Sequence, residues 1–315
     1  MVAPLLAAVV VAQSPVPFPH ATATPMCGAK TIPYQQAALA SAGAELWLVC
    51  RDARRLVHLN AAGAPVKTIG LGTFRPWAVA SGGGAVWVIS RDVPQLLKFS
   101  QTGKQLARIA LDGVPASLWF GSGSVWVGFE AFGFERVNAR TGRTATFADG
   151  DGVSAFAGDG ANVYAISHRD NAITRVSLAT GRSRRVAAGI VDVARGSTEA
   201  AAFSNGSLWL TGRGLDLLRV SPTTGKVQTV TEIGPAGFGV AVSRGKLLVA
   251  GYSKTGARRG DPIVGSFSTV DPRSAKVVAT LTATRLAYVS GFVVSGSMIY
   301  AADVVQGMLV RLPAG

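Results

Sequence analysis

The sequence predicts an all-β fold built from a repeated unit, and three observations support this. Short β-prone trios with a bulky central residue recur about every forty residues, from Leu46-Trp47-Leu48 to Ile299-Tyr300-Ala301. A turn of small residues precedes each trio, and glycine accounts for 38 of the 315 residues. A second turn, such as Thr102-Gly103, follows most trios. Four short antiparallel strands in each unit are typical of a β-propeller blade.

The number of trios gives the number of blades. The 283 residues from Pro33 to Gly315 divide into seven units, the sixth of which carries a long insertion from Tyr252 to Gly265. We therefore predict a seven-bladed β-propeller of four-stranded antiparallel blades, forming a single domain over residues 30–315. The central residues of the seven trios are Trp47, Trp87, Trp126, Tyr164, Trp209, Leu248 and Tyr300.

The seventh blade ends at Val310-Arg311-Leu312 and lacks an outer strand. We expect an N-terminal strand, Lys30–Pro33, to complete this blade and close the ring, which would remove an exposed sheet edge. Cys27 and Cys50 are the two cysteines of the chain. They either form one disulfide bridge, which would hold the closing strand near the first blade, or remain two unpaired thiols.

Residues 1–12 contain an apolar run, Val2–Ala12, that resembles a signal peptide without its basic leader or the remainder of a membrane segment. Eleven residues are too few to span a bilayer, which requires about 20. Residues 13–29 are rich in Pro, Ala and Thr and predict an extended linker. These features predict an extracytoplasmic protein, whether secreted, periplasmic or tethered to a membrane.

The repeat resembles the seven-bladed propellers related to streptogramin B lyase, the NHL-repeat proteins and the YVTN-type repeat proteins. The matching features are the strand Val86-Trp87-Val88-Ile89-Ser90, the turn from Arg219 to Gly225 and the prolines that open inner strands. The resemblance covers almost the whole chain after residue 30. For the lyases it implies a site of histidine, a carboxylate and magnesium, with histidine often following the opening proline. Here Pro76, Pro115 and Pro235 are followed by Trp77, Ala116 and Ala236.

Propellers usually bind ligands on the face formed by the loops between second and third strands and by the connections between blades. In this chain those loops combine arginine and aromatic residues, which suit a carboxylate, phosphate or sugar ligand. The alternative is that neighbouring Arg and Asp side chains pair with each other. The candidate ligand-binding residues are Arg75, Trp77, Arg91, Phe129, Glu130, His168, Arg169, Arg213, Tyr252, Arg285 and Asp303.

Catalytic signals are few. Of the three histidines, only His168 falls in a loop of this face, and Glu130 is the carboxylate that could act with it if the fold brings the two together. The chain contains no nucleophile elbow, no paired Cys/His spacing for zinc and no phosphate-binding loop motif. We therefore predict no metal site and no cofactor. The expected function is that of a non-catalytic sensor or scaffold module that binds a small ligand or a protein, and the second hypothesis is a lyase-like or hydrolase-like enzyme.

The net charge of +14 restricts the partners. The loops of the ligand-binding face, called the funnel face below, carry nearly equal numbers of acidic and basic residues. We therefore expect the excess positive charge on the loops of the opposite face. That face could rest on an anionic membrane or a cell-wall polymer, although solubility alone would also explain the charge. We do not expect a nucleic-acid partner, and we expect a monomer. The cations assigned to the opposite side are Lys67, Lys104, Arg140, Arg143, Arg182, Arg184, Arg185, Lys226, Arg244, Lys246, Arg273 and Lys276.

Overall fold

The computed structural model forms seven antiparallel sheets of four strands, one of which gains a short fifth strand. It describes residues 16–17, 22–27, 38–190, 197–213, 216–230, 233, 236–254, 263–283, 289–303 and 307–313. The predicted seven-bladed β-propeller is confirmed. No helix among the described residues is long and apolar enough to cross a bilayer.

The first four blades follow one another along the chain, and in each the first strand is the inner one and the fourth the outer one. Blade 1 contains Leu39–Ala42, Glu45–Cys50, Arg55–Leu59 and Pro65–Gly70. Blade 2 contains Ala78–Gly82, Ala85–Ile89, Gln95–Ser100 and Gln105–Ala110. Blade 3 contains Pro115–Gly121, Ser124–Phe129, Phe132–Asn138 and Thr144–Asp151. Blade 4 contains Val153–Gly158, Asn162–Ser167, Ala172–Ser177 and Ser183–Ala188.

Blades 5 and 6 keep this order. Blade 5 contains Ser197–Ser204, Ser207–Arg213, Leu217–Val220 and Val227–Val230. Blade 6 contains Ala236–Ser243, Lys246–Lys254, Ile263–Asp271 and Lys276–Ala283. The predicted insertion therefore begins as a continuation of the hairpin, because Tyr252 pairs with Gly265 and Lys254 with Ile263. The outer strand of blade 6 also pairs in parallel with Val16–Pro17.

Blade 7 joins the two ends of the described chain. Its first three strands are Val289–Ser295, Met298–Asp303 and Met308–Pro313, and its outer strand is Thr22–Pro25. Closure by an N-terminal strand is thus confirmed, but the strand is not Lys30–Pro33, which lies outside the described residues. The physical reason is the Cys27–Cys50 disulfide, with a Cα–Cα distance of 5.3 Å. It fixes the chain beside blade 1, so the residues just before Cys27, within the predicted linker, reach the edge of blade 7.

The trios identified in the sequence are the second strands, and their central aromatic side chains form the core between blades. Trp47, Trp87, Trp126 and Trp209 are fully buried, and Tyr164 and Tyr300 take the equivalent place in blades 4 and 7. In three blades the indole Nε1 donates to a carbonyl five residues earlier, at the end of the inner strand: Trp87 to Gly82, Trp126 to Gly121 and Trp209 to Ser204. These tryptophans are therefore packing residues and are not exposed to a ligand.

Blade 3 also buries a carboxyl group. Glu135, in the strand Phe132–Asn138, is 1% exposed and accepts a hydrogen bond from the backbone N–H of Asp112 at 3.2 Å. Burial raises the pKa of Glu135 above its ordinary value of 4.5, and the nearby carboxylate of Asp112 acts in the same direction. Hydrogen bonds from the Asp112 backbone and the Thr144 side chain offset part of this rise.

This raised pKa predicts a pH-dependent stability. Above pH 4.5 the unfolded state loses the Glu135 proton first, so the free energy of unfolding should fall as pH rises from 4.5 through the folded-state pKa. Glu135→Gln keeps an acceptor oxygen and removes the titration. Urea unfolding between pH 4 and 8 should show that wild type loses stability relative to Glu135→Gln over this window. A difference between the two proteins that is independent of pH would contradict the prediction.

Candidate funnel site

The candidate site lies on the face where second strands turn into third strands and where one blade connects to the next. Within the described residues the face is contributed mainly by blades 1–4, through the loops 51–54, 90–94, 130–131 and 168–171 and the connections 71–77 and 111–114. Neighbouring blades therefore place their loop residues side by side, and this juxtaposition produces pairs about forty residues apart in sequence.

Arg75 joins blades 1 and 2. Its Nη2 atom lies 2.6 Å from Asp52 Oδ1, and its Nη1 atom lies 3.7 Å from Asp92 Oδ2. The hydrogen bond to Asp52 raises the pKa of the Arg75 guanidinium. The side chains of Arg75 and both aspartates are all more than a third exposed, so these pairs are screened by water and orient the loops more than they stabilise the fold.

Glu130 joins blades 2, 3 and 4. Its Oε2 atom accepts a hydrogen bond from Arg91 of blade 2, and its Oε1 atom lies 3.4 Å from Arg169 Nη2 of blade 4. Arg169 also lies 3.8 Å from Asp151 through its Nη1 atom. Both oxygens of Glu130 are thus occupied by guanidinium groups. The alternative raised from the sequence, that arginines and acids of this face pair with each other, describes Arg75, Arg91 and Arg169.

Trp77 forms an oriented aromatic surface beside this network. Its Nε1 atom donates to the backbone oxygen of Ala116 in the next blade at 2.9 Å. The guanidinium carbon of Arg91 lies 4.7 Å from the centre of the indole, and that of Arg51 lies 5.2 Å away. Arg51 has no ion-pair partner among the described residues. It is therefore a guanidinium held against an aromatic ring with its hydrogen-bonding capacity not committed to a carboxylate.

His168 faces the connection between blades 3 and 4. Its Nδ1 atom lies 2.5 Å from the backbone oxygen of Gly152. Gly152 has a φ of +62°, and a Cβ atom there would lie 2.6 Å from His168 Cε1, so only glycine fits beside the ring. Among the described residues His168 and Glu130 make no hydrogen bond or ion pair with each other; Arg169, adjacent to His168 in sequence, contacts Glu130 instead.

Two predicted site residues are buried. Phe129 is 3% exposed and packs against Gly113, where a Cβ atom would lie 2.9 Å from the ring. Asp303 is 0% exposed and pairs with Met308 within blade 7. Both lie at the ends of strands and not in loops, so the fold uses them internally. Arg285 and the side chains of Arg213 and Tyr252 lie outside the described residues.

A central channel lies between the inner strands of the blades. It has a volume of about 410 Å³ and is lined by the inner strands of all seven blades. The lining is mainly apolar, with several aromatic residues, the hydroxyls of four serines and the carboxylate of Glu199. Two of these hydroxyls are used between blades, since Ser117 Oγ donates to Val153 O and Ser154 Oγ to Thr198 O, both at 2.7 Å. The volume lies in the lower part of the range found for small-molecule pockets.

A β-bulge recurs at the funnel end of the inner strands. Pairing skips Ala116 in blade 3, Ser154 in blade 4 and Glu199 in blade 5. In blade 2 the equivalent position is Trp77. Its backbone N–H donates to the backbone oxygen of Ile89, and the regular pairing of the strand begins at the next residue, Ala78. Such bulges redirect side chains towards a site. Glu199, which lines the channel, was missed as a site residue; aligning the inner strands of the repeats would have identified it.

The magnesium implied by the family resemblance does not fit the described residues. No group of three or more His, Cys, Asp or Glu side chains comes together among them in the way that a metal ion requires. The carboxylates of Glu130 and Asp151 are instead engaged by Arg169, the residue after His168.

Comparisons with known proteins identify the fold. No protein-family model matches the chain, and no curated protein matches it. A streptogramin B lyase structure superimposes with a TM-score of 0.69 at 14% identity, covering 93% of this chain and 97% of that one. Virginiamycin B lyase from Staphylococcus aureus gives 0.71 at 14% identity, with 93% and 99% covered. An inactive variant of that lyase with quinupristin gives 0.71 at 13% identity, with the same coverage.

The predicted resemblance to the streptogramin B lyase propellers is therefore confirmed at the level of fold. A computationally designed protein, Ika8, also superimposes with a TM-score of 0.62 at 11% identity, covering 92% of this chain and 98% of that one. The fold is thus shared by an enzyme and a designed protein, so it does not by itself specify an activity. The likeness to NHL-repeat and YVTN-type proteins stays a prediction.

Proposed function

We propose that the protein is a non-catalytic binding module that holds a small ligand bearing a carboxylate or phosphate group at the funnel mouth. The observation that carries this proposal is the arrangement of Arg51, Trp77 and Arg91. Arg51 lies 5.2 Å from the centre of the indole and has no ion-pair partner among the described residues. A guanidinium in this state can form a charge-assisted bidentate pair with an incoming anion.

The surroundings pre-organise this group. The hydrogen bond from Trp77 to Ala116 fixes the indole, and the pair between Arg91 and Glu130 fixes the second guanidinium over it. A ligand that binds here meets side chains already held in place, which reduces the entropy lost on binding.

The same contacts argue against Glu130 as a general base. A general base needs a free acceptor within reach of the substrate. Glu130 has both oxygens committed to arginines and makes no hydrogen bond with His168 among the described residues. We also propose an extracytoplasmic location, which the Cys27–Cys50 disulfide supports, because such bonds persist mainly in oxidising compartments.

The ligand proposal predicts a defined response to inorganic phosphate and to succinate as probes. Titration of either should give a saturable change in tryptophan fluorescence that Trp77→Phe abolishes. Arg51→Gln should weaken binding about 10- to 100-fold, because it removes a hydrogen bond to a charged group. Arg54→Gln, an exposed arginine in the same loop, is the matched control and should bind as wild type does. A response that is not saturable, or that Arg54→Gln weakens equally, would refute the proposed site.

The lyase-like enzyme is the second candidate, favoured by superposition on the quinupristin-bound lyase over 93% of this chain. The test is to incubate wild type with quinupristin and magnesium and to separate the antibiotic by chromatography, because elimination within a cyclic molecule gives an isomer of the same mass. We expect a single unchanged peak, because Glu130 is held by Arg91 and Arg169 and makes no hydrogen bond with His168 among the described residues. A product formed by wild type and lost in both His168→Ala and Glu130→Gln would overturn the non-catalytic proposal. Circular dichroism would confirm that both variants fold.

A further inference from the structure

The face opposite the funnel carries a repeated cation. In five consecutive blades the turn between the third and outer strands is followed by a lysine or arginine at the same place. The outer strands all start from these turns, so the five cations form an arc along one side of the ring. Blade 1, with Ala64 at this place, lacks the cation. The five residues are Lys104, Arg143, Arg182, Lys226 and Lys276, and Arg140 and Arg273 in the same turns add two more.

These cations differ from the funnel arginines in their partners. All seven side chains are exposed, and none has a hydrogen-bond or ion-pair partner in the part of the chain that the structure describes. Three acids that lie at the turns of this face are already engaged: Glu45 contacts His58 at 2.6 Å, Asp159 accepts from Tyr164 at 2.8 Å, and Asp271 pairs with Lys246. The arc therefore presents positive charge that the protein itself does not neutralise.

The sequence gives an independent indication. It contains the apolar run Val2–Ala12, which is typical of a segment with affinity for lipid. The described chain begins with Val16–Pro17, which runs parallel to Lys276–Ala283 and therefore away from the cationic turn where that outer strand begins.

We propose that the cationic arc docks on an anionic lipid bilayer. Charge complementarity selects a negative surface, since a lysine or arginine near an anionic leaflet gains about 1 kcal/mol. The bilayer is preferred to a soluble polyanion because the sequence also contains the apolar run Val2–Ala12, and apolar residues add affinity for lipid but not for a polyanion. Docking in this orientation turns the funnel away from the membrane, where it stays open to a soluble ligand.

The test is flotation of the full chain with two kinds of vesicle, phosphatidylcholine alone and phosphatidylcholine with about 30% phosphatidylglycerol. The arc variant is Lys104→Gln, Arg143→Gln, Arg182→Gln. The matched control is Arg54→Gln, Arg55→Gln, Arg108→Gln, three arginines that lie outside the turns between third and outer strands. Each of the two variants lowers the net charge of +14 by three. Thermal unfolding of both variants confirms that they fold.

We expect wild type to prefer the anionic vesicles, the preference to weaken at high salt, and the arc variant to lose roughly 100-fold in partition coefficient. In the control variant the logarithm of the partition coefficient should fall by less than a third of its fall in the arc variant. Equal losses in the two variants, or equal binding of wild type to both vesicles, would overturn the proposal. So would arc-dependent binding to duplex DNA or polyglutamate without binding to anionic vesicles, which would assign the arc to a soluble polyanion.

Discussion

The pairing of Thr22–Pro25 with Met308–Pro313 is the constraint on which the rest of the structure depends. Without it, blade 7 would present an open strand edge and the ring would lack its closing contact. Two backbone bonds extend the closure, because Met26 N and Cys27 N both approach Gly307 O, at 3.0 and 3.4 Å. The Cys27–Cys50 bond then anchors this strand to blade 1. The central channel and the funnel loops keep their positions only while the seven inner strands remain in one ring.

The closed ring also separates two kinds of charge. On the funnel side, loops from adjacent blades bring Arg75, Arg91 and Arg169 against carboxylates, leaving Arg51 over Trp77 as the group open to a ligand. On the opposite side, the repeated turn residues point outward and meet no acid among the described residues. Arg185, which the repeat pattern assigned to the opposite side, is an exception, because it lies 3.0 Å from Asp170 in a funnel loop. In the two proposals each face has a different partner, so both could be occupied at once.

Much of the fold could be predicted because the same pattern of strands and turns occurs seven times in the sequence. The buried Trp87 and its equivalents recur at one position, and packing between blades requires a large apolar side chain there. The closing strand could not be placed, since Lys30–Pro33 and Thr22–Pro25 are both short β-compatible segments and only the disulfide geometry distinguishes them.

At the candidate site, the sequence identified Trp77 and Glu130 as residues of the funnel face. It could not show that Phe129 and Asp303 turn inward, because burial at a strand end depends on neighbouring blades. Glu199 was missed since a β-bulge is not visible in a single strand.

The most direct test of the closure is hydrogen exchange at the backbone amides of residues 308–312 in the strand Met308–Pro313, compared between wild type and Cys27→Ala. A disulfide that spans 23 residues stabilises by about 3 kcal/mol in the loop-entropy account. Exchange in this strand should therefore accelerate roughly 100-fold in the variant, while the equivalent strand of blade 3, Phe132–Asn138, changes much less. If Met308–Pro313 exchanges as an unprotected edge in wild type, or keeps its full protection in Cys27→Ala, the N-terminal strand does not hold the ring closed.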